Sequence, residues 1–288
     1  MAEPLTWCHL NGERVKLAEA RISPLDRSFL FGDGVYEVIP VYDGRLFRAA
    51  AHFERLVRSA KAIRLHNPYS TERWTELLQG LVDANGGGDQ YVYLHLSRGA
   101  ESGRNHAPLP DIAPTVFAFC APWPVVAEST LRDGLSCVTA ADTRWSRCDI
   151  KSVALLANVL LRQLAVDAGA AETLLLRDGE LTEASASTVH VVRGGTLLTP
   201  PNSARILPGT TRGVVQELAD QLGIPRLATR VGEAELRSAD EIWLAAATRE
   251  VQPVTRLDGQ PVGRGVPGPL WRSVYDAYQR LKRAPSRP

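Results

Sequence analysis

Lys151 is the residue whose type and position best suit covalent chemistry in this sequence. It lies in the segment 147–152, RCDIKS, where an irregular stretch precedes an apolar run that predicts a long helix over 152–168. A lysine beside such low-dielectric packing loses its proton readily, and the neutral amine is the nucleophile that forms a Schiff base. Taken alone, however, a lysine at the start of a helix is more typical of a solvated surface position.

Glu183 is a second candidate. It stands in the segment 181–188, LTEASAST, just after a turn predicted at Asp178-Gly179. A carboxylate among small hydroxyl residues can pair with a protonated pyridine nitrogen and keep such a ring an effective electron sink. The same glutamate also fits an ordinary exposed strand end.

The segment 207–213, LPGTTRG, has the features of an anion-binding turn. Glycine followed by threonines at the start of a predicted helix over 211–222 offers backbone N–H groups and hydroxyls to an anion, with the positive end of the helix dipole behind them. The pattern predicts a phosphate site at Thr210 and Thr211. A simple helix N-cap would have the same sequence.

The elements that must position these residues begin with a sheet in the N-terminal third. Hairpins are predicted at Asn11-Gly12 and Asp43-Gly44, because these dipeptides adopt the positive φ angles of tight turns. Amphipathic helices and two further strands follow, and these are predicted over 52–65, 71–84, 90–97 and 115–121. The segment APWP at 121–124 cannot continue a central strand, since proline lacks an N–H donor, and it predicts a linker.

The C-terminal part mixes both kinds of element. Strands are predicted over 136–140, 172–177, 187–193 and 242–247, and helices over 152–168, 211–222 and 269–282. The mixture favours an α+β fold with two domains. We expect a small N-terminal two-layer α/β domain at 1–120, a linker at 121–127, and a larger, β-barrel-like α/β domain at 128–288.

Composition and charge limit the class of partner. The 288 residues include 33 Lys plus Arg and 32 Asp plus Glu, so no basic stripe points to nucleic acid or an anionic membrane. The four cysteines have neither the spacing of a metal or redox site nor the density of a disulfide scaffold. No signal-peptide pattern or membrane-length apolar run is present. We therefore expect a cytoplasmic, metal-free protein that acts on a small molecule.

Four segments occur in a fixed order between Asp26 and Arg212. They are 26–38 (DRSFLFGDGVYEV), 148–152 (CDIKS), 181–185 (LTEAS) and 208–212 (PGTTR). Together they resemble the fold-type IV aminotransferases, which use pyridoxal 5'-phosphate, and among these they look most like the D-amino-acid aminotransferases. Two stretches depart from the family pattern: AAATRE at 245–250 replaces a hydroxyl-rich run, and TVH at 188–190 replaces the usual Asn-Val-Phe.

The resemblance implies a role for individual residues. Lys151 would carry the cofactor as a Schiff base and act as the general base, and Glu183 would pair with the pyridine nitrogen. The phosphate would be bound by Arg55, Thr210, Thr211 and Thr248, the arginine being suited to bidentate contact with an oxyanion.

Arg104-Asn105-His106 is the marker of the D-amino-acid subfamily. It matches the Arg-x-His pair that binds the substrate carboxylate, together with a tyrosine at the position of Tyr36. In the resembling family this pair comes from the partner subunit, so the resemblance implies a homodimer. Arg98 is a rival carboxylate ligand for which a structural role is favoured.

Several alternatives stay open at this point. His95 and His190 fit packed or solvent-facing positions better than catalytic ones. Within the fold, the alternatives are a branched-chain L-aminotransferase, an (R)-amine transaminase and the carbon-carbon lyase aminodeoxychorismate lyase; Arg104 with His106 argues against the first two. A cofactor-carrying regulator would not require all the site residues. The expected reaction exchanges an amino group between a D-amino acid (D-alanine, D-glutamate or D-aspartate) and pyruvate or 2-oxoglutarate.

Overall fold

The computed structural model of the chain describes residues 3–284. By its contacts the chain divides into two compact units. The first unit extends to Pro124 and includes Ile150–Leu155, and the second comprises Val125–Asp149 and the residues from Leu156 onward. The division at 121–127 predicted from the sequence stays a prediction, and residues 1, 2 and 285–288 of its domains lie outside the described residues.

The α-helices and β-strands of the described residues are numbered in chain order. The helices are α1 (Arg27–Phe31), α2 (Ala49–Ala62), α3 (Thr71–Ala84), α4 (Glu128–Asp133), α5 (Leu156–Asp167), α6 (Thr210–Gln221), α7 (Glu233–Arg237) and α8 (Pro269–Arg283). The strands are β1 (Trp7–Leu10), β2 (Glu13–Lys16), β3 (Gly34–Tyr42), β4 (Arg45–Leu46), β5 (Gln90–Ser97), β6 (Thr115–Pro122), β7 (Leu135–Ala141), β8 (Glu172–Arg177), β9 (Glu180–Ala184), β10 (Thr188–Arg193), β11 (Thr196–Thr199), β12 (Arg226–Ala228), β13 (Glu241–Ala246), β14 (Glu250–Leu257) and β15 (Gln260–Pro261). Within the described residues, no helix is both long and apolar enough to cross a membrane.

The first unit is an antiparallel sheet covered by two helices. Its strand order is β2-β1-β6-β5-β3-β4, and the first hairpin turns at Asn11, whose φ is 50°. Helices α2 and α3 bury Phe53, Leu56, Trp74 and Leu78 in one cluster with apolar side chains of β3 and β5. Burial of each such side chain contributes roughly 1.5–3 kcal/mol, which is enough to hold the helices on the sheet.

The second unit is built on a mixed sheet, with the strand order β12-β11-β10-β13-β14-β7-β8-β9 and β15 paired to β14. Helix α8 is held at its N-terminus by Glu241, whose carboxylate accepts from the backbone N–H groups of Leu270 (3.0 Å) and Trp271 (2.8 Å). A Cβ at Gly268 would lie 1.9 Å from the Glu241 Cδ and would displace this carboxylate from the start of α8. The combination of this mixed sheet with the helix-covered sheet of the first unit confirms the predicted α+β fold class.

The segment that follows Lys151 is not helical, although the sequence predicts a helix from residue 152. The backbone N–H of Tyr36 donates to the Lys151 carbonyl at 3.0 Å, and Val153 N–H donates to the first carbonyl of β3 at 3.1 Å. Helix α5 begins only at Leu156. The prediction was wrong because helical periodicity takes no account of a strand edge that satisfies these backbone groups first.

Candidate active site

Lys151 is half-buried and is held by its backbone on both sides. Its carbonyl accepts from Tyr36 N–H, and its own N–H donates to Ser59 Oγ at 3.2 Å. The Lys151 Nζ lies 4.0 Å from the centroid of the Tyr36 ring, and that ring stacks on Tyr93 with centroids 5.7 Å apart. The structure therefore fixes an amine against the aromatic face of Tyr36.

A buried charge cluster follows Tyr36 in β3. Glu37 accepts from Arg55 of α2 through two bonds of 2.7 Å, Nε to Oε1 and Nη2 to Oε2. His52 Nδ1 lies 2.7 Å from the same carboxylate. Burial raises the pKa of Glu37, but Arg55 and His52 more than offset this and hold it at about 2. The cluster fixes the plane of the Arg55 guanidinium. Arg55 is the predicted phosphate ligand, and no sequence pattern indicated that Glu37 and His52 would be its partners.

Glu37 should stabilise the fold in a way that depends on pH. Its folded pKa of about 2 lies below the ordinary value of 4.5, so its contribution is fully present above about pH 4.5 and is lost as pH falls toward 2. The difference corresponds to roughly 3 kcal/mol at neutral pH. Urea unfolding between pH 7 and pH 3 should show Glu37→Gln to be less stable at pH 7, with a flatter acid limb. Equal acid slopes would contradict this, and Glu54→Gln on the exposed face of α2 is the control.

Arg104 and His106 lie on the connection between β5 and β6, and both side chains are exposed. The Arg104 Cζ is 4.9 Å from the centroid of the Phe31 ring, and the His106 ring lies 5.4 Å from it. The two side chains therefore share one aromatic support on the surface of the first unit.

Arg98, the rival carboxylate ligand, uses its guanidinium within the fold. Its Nε and Nη2 donate to Asp33 at 2.8 and 2.9 Å, and its other bonds go to the carbonyls of Arg64 and Ile63. His95 is similarly engaged: its Nε2 lies 2.6 Å from a serine hydroxyl of α1 and its Nδ1 lies 3.1 Å from the Tyr93 hydroxyl. Both residues occupy positions suited to structural roles.

Glu183 is buried in β9 of the second unit. Its carboxylate accepts from Arg144 Nη1 and, at 3.3 Å, from the backbone N–H of Leu207. Asp142 holds Arg144 in turn, at 2.9 Å to Nε and 2.8 Å to Nη2. Burial raises the pKa of Glu183, and Arg144 opposes that rise. Arg144 was not predicted from the sequence. The one signal for such a residue is that a buried carboxylate needs a charged partner, and this does not say which residue the partner is.

The segment 207–213 leads into α6, with Thr210 and Thr211 in the first turn. Among the described residues, no side chain caps this helix, and the buried Nη1 of Arg212 and Nε2 of His190 have no hydrogen-bond partner. Burial, followed by the charge of Arg212, lowers the pKa of His190 to about 3, so this ring is neutral. An uncapped helix N-terminus with a buried arginine donor suits an oxyanion, and this end of the second unit therefore fits a phosphate group.

The structure brings these residues together within each unit. In the second unit, the bond from Leu207 to Glu183 joins the carboxylate to the segment that leads into α6. Thr248 lies half-buried in the turn between β13 and β14. Among residues 3–284, no group of three or more His, Cys, Asp or Glu side chains could hold a metal ion.

Comparison with known proteins places this arrangement in a family. The chain is 39% identical to the D-alanine aminotransferase of Staphylococcus aureus strain MSSA476 over 272 residues, which cover 94% of this chain and 96% of the relative. It is 40% identical to the D-alanine aminotransferase of Bacillus licheniformis over 269 residues, or 93% and 94% of the two chains.

The fold of this chain is similar to that of solved aminotransferase structures. The Escherichia coli branched-chain amino acid aminotransferase matches with a TM-score of 0.92 at 26% identity, over 96% of this chain and 94% of that one. The branched-chain amino acid aminotransferase of Thermobaculum terrenum in its PLP-form matches with a TM-score of 0.87 at 25% identity, over 97% and 94%. The model of the family described as amino-transferase class IV matches residues 34–257. These matches confirm the resemblance that the four sequence segments predicted, and the chain belongs to the class IV aminotransferase family.

Proposed function

We propose that this chain is a pyridoxal-phosphate-dependent D-amino-acid aminotransferase. It exchanges an amino group between a D-amino acid, such as D-alanine, D-glutamate or D-aspartate, and pyruvate or 2-oxoglutarate. The observation that carries the proposal is the Lys151 amine, which lies 4.0 Å from the centroid of the Tyr36 ring. The similarity of the chain to D-alanine aminotransferases, which extends over more than nine-tenths of its length, also supports the proposal.

The cofactor is held by Lys151, Glu183 and a set of phosphate ligands in this proposal. When bound, pyridoxal phosphate supplies an electron sink that lets the amino group pass between two carbon skeletons. Lys151 holds it covalently and moves a proton at the substrate α carbon. Glu183, held by Arg144, keeps the pyridine nitrogen protonated. The phosphate ligands are Arg55, Thr210, Thr211 and Thr248.

The glutamate of β3 supports the assignment of Arg55. Glu37 holds the Nε and Nη2 of Arg55 and so fixes the plane of its guanidinium. A fixed guanidinium loses little freedom when it binds an oxyanion, because its orientation is set in advance. In the second unit, the uncapped α6 N-terminus offers backbone donors that suit an oxyanion.

The substrate carboxylate is bound by Tyr36 and by Arg104 and His106 of the partner subunit of a homodimer. Exposure of Arg104 and His106 supports this, since both are free to meet a second copy. Helix α5 also exposes an apolar face, and exposed apolar faces of this kind are commonly buried in the interface of a homodimer. This face comprises Leu156, Val159, Leu160 and Leu164, each 46–73% exposed. An active monomer in analytical ultracentrifugation would contradict the arrangement.

The preference for D-amino acids follows from geometry. Lys151 would approach the bound cofactor from one face and would therefore move a proton only on that face. The configuration it produces depends on which side of the substrate carbon holds the carboxylate, and exchanging carboxylate and side chain inverts the product. In the D-amino-acid aminotransferases that this chain resembles, a tyrosine and an Arg-x-His pair place the carboxylate on the side that yields the D form, and Tyr36, Arg104 and His106 match them.

The test mixes the holoenzyme with each alanine enantiomer in the absence of an acceptor. D-alanine should bleach the visible band of the bound cofactor at least about tenfold faster than L-alanine, which corresponds to 1.4 kcal/mol of discrimination. Adding pyruvate or 2-oxoglutarate should then restore the band, as a transaminase requires and a lyase does not. Equal or faster bleaching by L-alanine, L-leucine or L-glutamate would show that the carboxylate sits elsewhere, as in an L-selective enzyme.

The cysteines support a cytoplasmic location for this enzyme. Cys8, Cys120, Cys137 and Cys148 are all free and buried in the structure. Burial raises the pKa of each thiol, which keeps it protonated and unreactive. Free structural thiols are typical of a reducing compartment.

A further inference from the structure

Arg27 lies beneath the connection that carries Arg104 and His106. It is only 3% exposed, and its guanidinium reaches the backbone of residues 101–109, called the substrate loop below. Nη1 donates to the Asn105 carbonyl at 2.6 Å, and Nη2 donates to the His106 carbonyl at 3.0 Å. One buried side chain therefore fixes the two consecutive carbonyls that follow Arg104.

The ends of the substrate loop are held by the same cluster. Glu101 Oε1 accepts from Arg27 Nη1 at 3.3 Å and from the backbone N–H of Leu109 at 3.0 Å. Asp33 holds the Arg27 Nε at 2.8 Å, and this carboxylate is also held by Arg98. Asp33 comes directly before β3, the strand of Tyr36, so the support of the loop is built onto the start of that strand.

The Phe31 ring completes the support. The Cζ of Arg27 is 4.7 Å from its centroid and the Cζ of Arg104 is 4.9 Å from it, so both guanidinium groups contact one ring. An exposed arginine on an unsupported loop would lose considerable rotamer freedom on binding a ligand. When the loop is fixed in advance, less entropy is lost on binding. This raises the affinity for the substrate more than it changes the rate of the chemical step.

We infer that Arg27 is a positioning residue for substrate carboxylate recognition, which acts through the substrate loop by holding Arg104 and His106 ready. The inference rests on the proposed role of that pair. Arg27 does not touch the substrate itself, since it is buried beneath the loop. Its replacement leaves Asp33 bound to Arg98, and Glu101 bound to Leu109, so no buried carboxylate is left without a partner.

The experiment is a double-mutant cycle on the holoenzyme. The apparent Kd for D-alanine and the maximal rate of the half-reaction are measured for Arg27→Gln, for Arg104→Ala/His106→Ala, and for their combination. Arg27→Gln should raise the apparent Kd about tenfold, the effect of roughly one hydrogen bond to a charged group, with a nearly unchanged maximal rate. In the Arg104→Ala/His106→Ala background it should add less than about twofold, because the two changes act on one unit.

A readout that does not depend on activity is amide hydrogen exchange. Arg27→Gln should speed exchange in peptides covering 101–109 and leave peptides of α2 and α3 unchanged. Arg14→Gln is the matched control: Arg14 also lies over an aromatic ring of the first unit, at 5.7 Å from the Trp7 centroid, but is exposed. It should alter neither loop exchange nor the apparent Kd.

The outcomes separate this inference from the proposed function. If Arg104→Ala/His106→Ala binds D-alanine as the wild type does, the carboxylate pair is wrong and the role of Arg27 is wrong with it. If that variant binds weakly but Arg27→Gln leaves the apparent Kd or the loop exchange unchanged, only the inference is overturned. Equal effects of Arg27→Gln in both backgrounds would also overturn it, since they would indicate general destabilisation.

Discussion

Replacement of Lys151 by alanine is expected to abolish covalent attachment of the cofactor and to lower turnover by roughly 10⁴-fold or more, because it removes both the attachment point and the general base. The fold should survive, since the contacts that hold this residue are made by its backbone, to Tyr36 and Ser59. Thermal unfolding of the variant checks that the loss is chemical.

The lysine content of the chain makes the assignment easy to test. The sequence has four lysines, and the other three are Lys16, Lys61 and Lys282. Borohydride reduction of the holoenzyme followed by peptide mass mapping should place the label on Lys151. A label on any other lysine would overturn the assignment. Lys61→Ala, on the exposed face of α2, is the matched control and should keep the cofactor and full turnover.

Replacement of Glu183 by glutamine is expected to keep the cofactor bound and to lower turnover by roughly 10²-fold, the scale on which removal of one preorganised charged group acts in a closed site. Glutamine has the same size and its amide oxygen can still accept from Leu207 N–H, while Arg144 remains bound to Asp142. The expected loss therefore comes from the missing charge opposite the pyridine nitrogen.

Stopped-flow half-reactions with D-alanine measure this effect, and the absorbance of the bound cofactor measures occupancy. Glu180→Gln is the matched control on the same strand, because Glu180 pairs with Arg230 at the surface. Wild-type turnover by Glu183→Gln would show that the pyridine nitrogen has another partner. Loss of the cofactor itself would assign Glu183 to binding instead.

Elements with strong local signals were predictable from the sequence. Asn11-Gly12 and Asp43-Gly44 form the predicted turns, because few other dipeptides adopt their positive φ angles. The strand β5 and the helix α3 have the predicted bounds. Each of these depends on periodicity and turn chemistry, which are properties of a single segment.

Other elements depend on neighbours that are distant in sequence. Strand β14 contains Pro253, a residue that local rules place at a strand edge. The structure accommodates it because Pro253 pairs with β13, whereas β7 pairs with β14 only from Val254 onward. The missing N–H therefore costs no ladder bond on the β7 side, and only the sheet order reveals this.

The sequence by itself determined the chemical types and order of the candidate groups, the α+β class and the family, because these depend on short motifs at fixed places in the chain. Only the tertiary structure decided which residues support them. Arg144 meets Glu183 and Arg27 meets the carbonyls of the substrate loop through contacts between segments far apart in the chain. The physical reason is that burial makes an unpaired charge costly, so buried groups such as Glu183 and Arg27 are paired with whichever partner lies close in space, which no local pattern encodes.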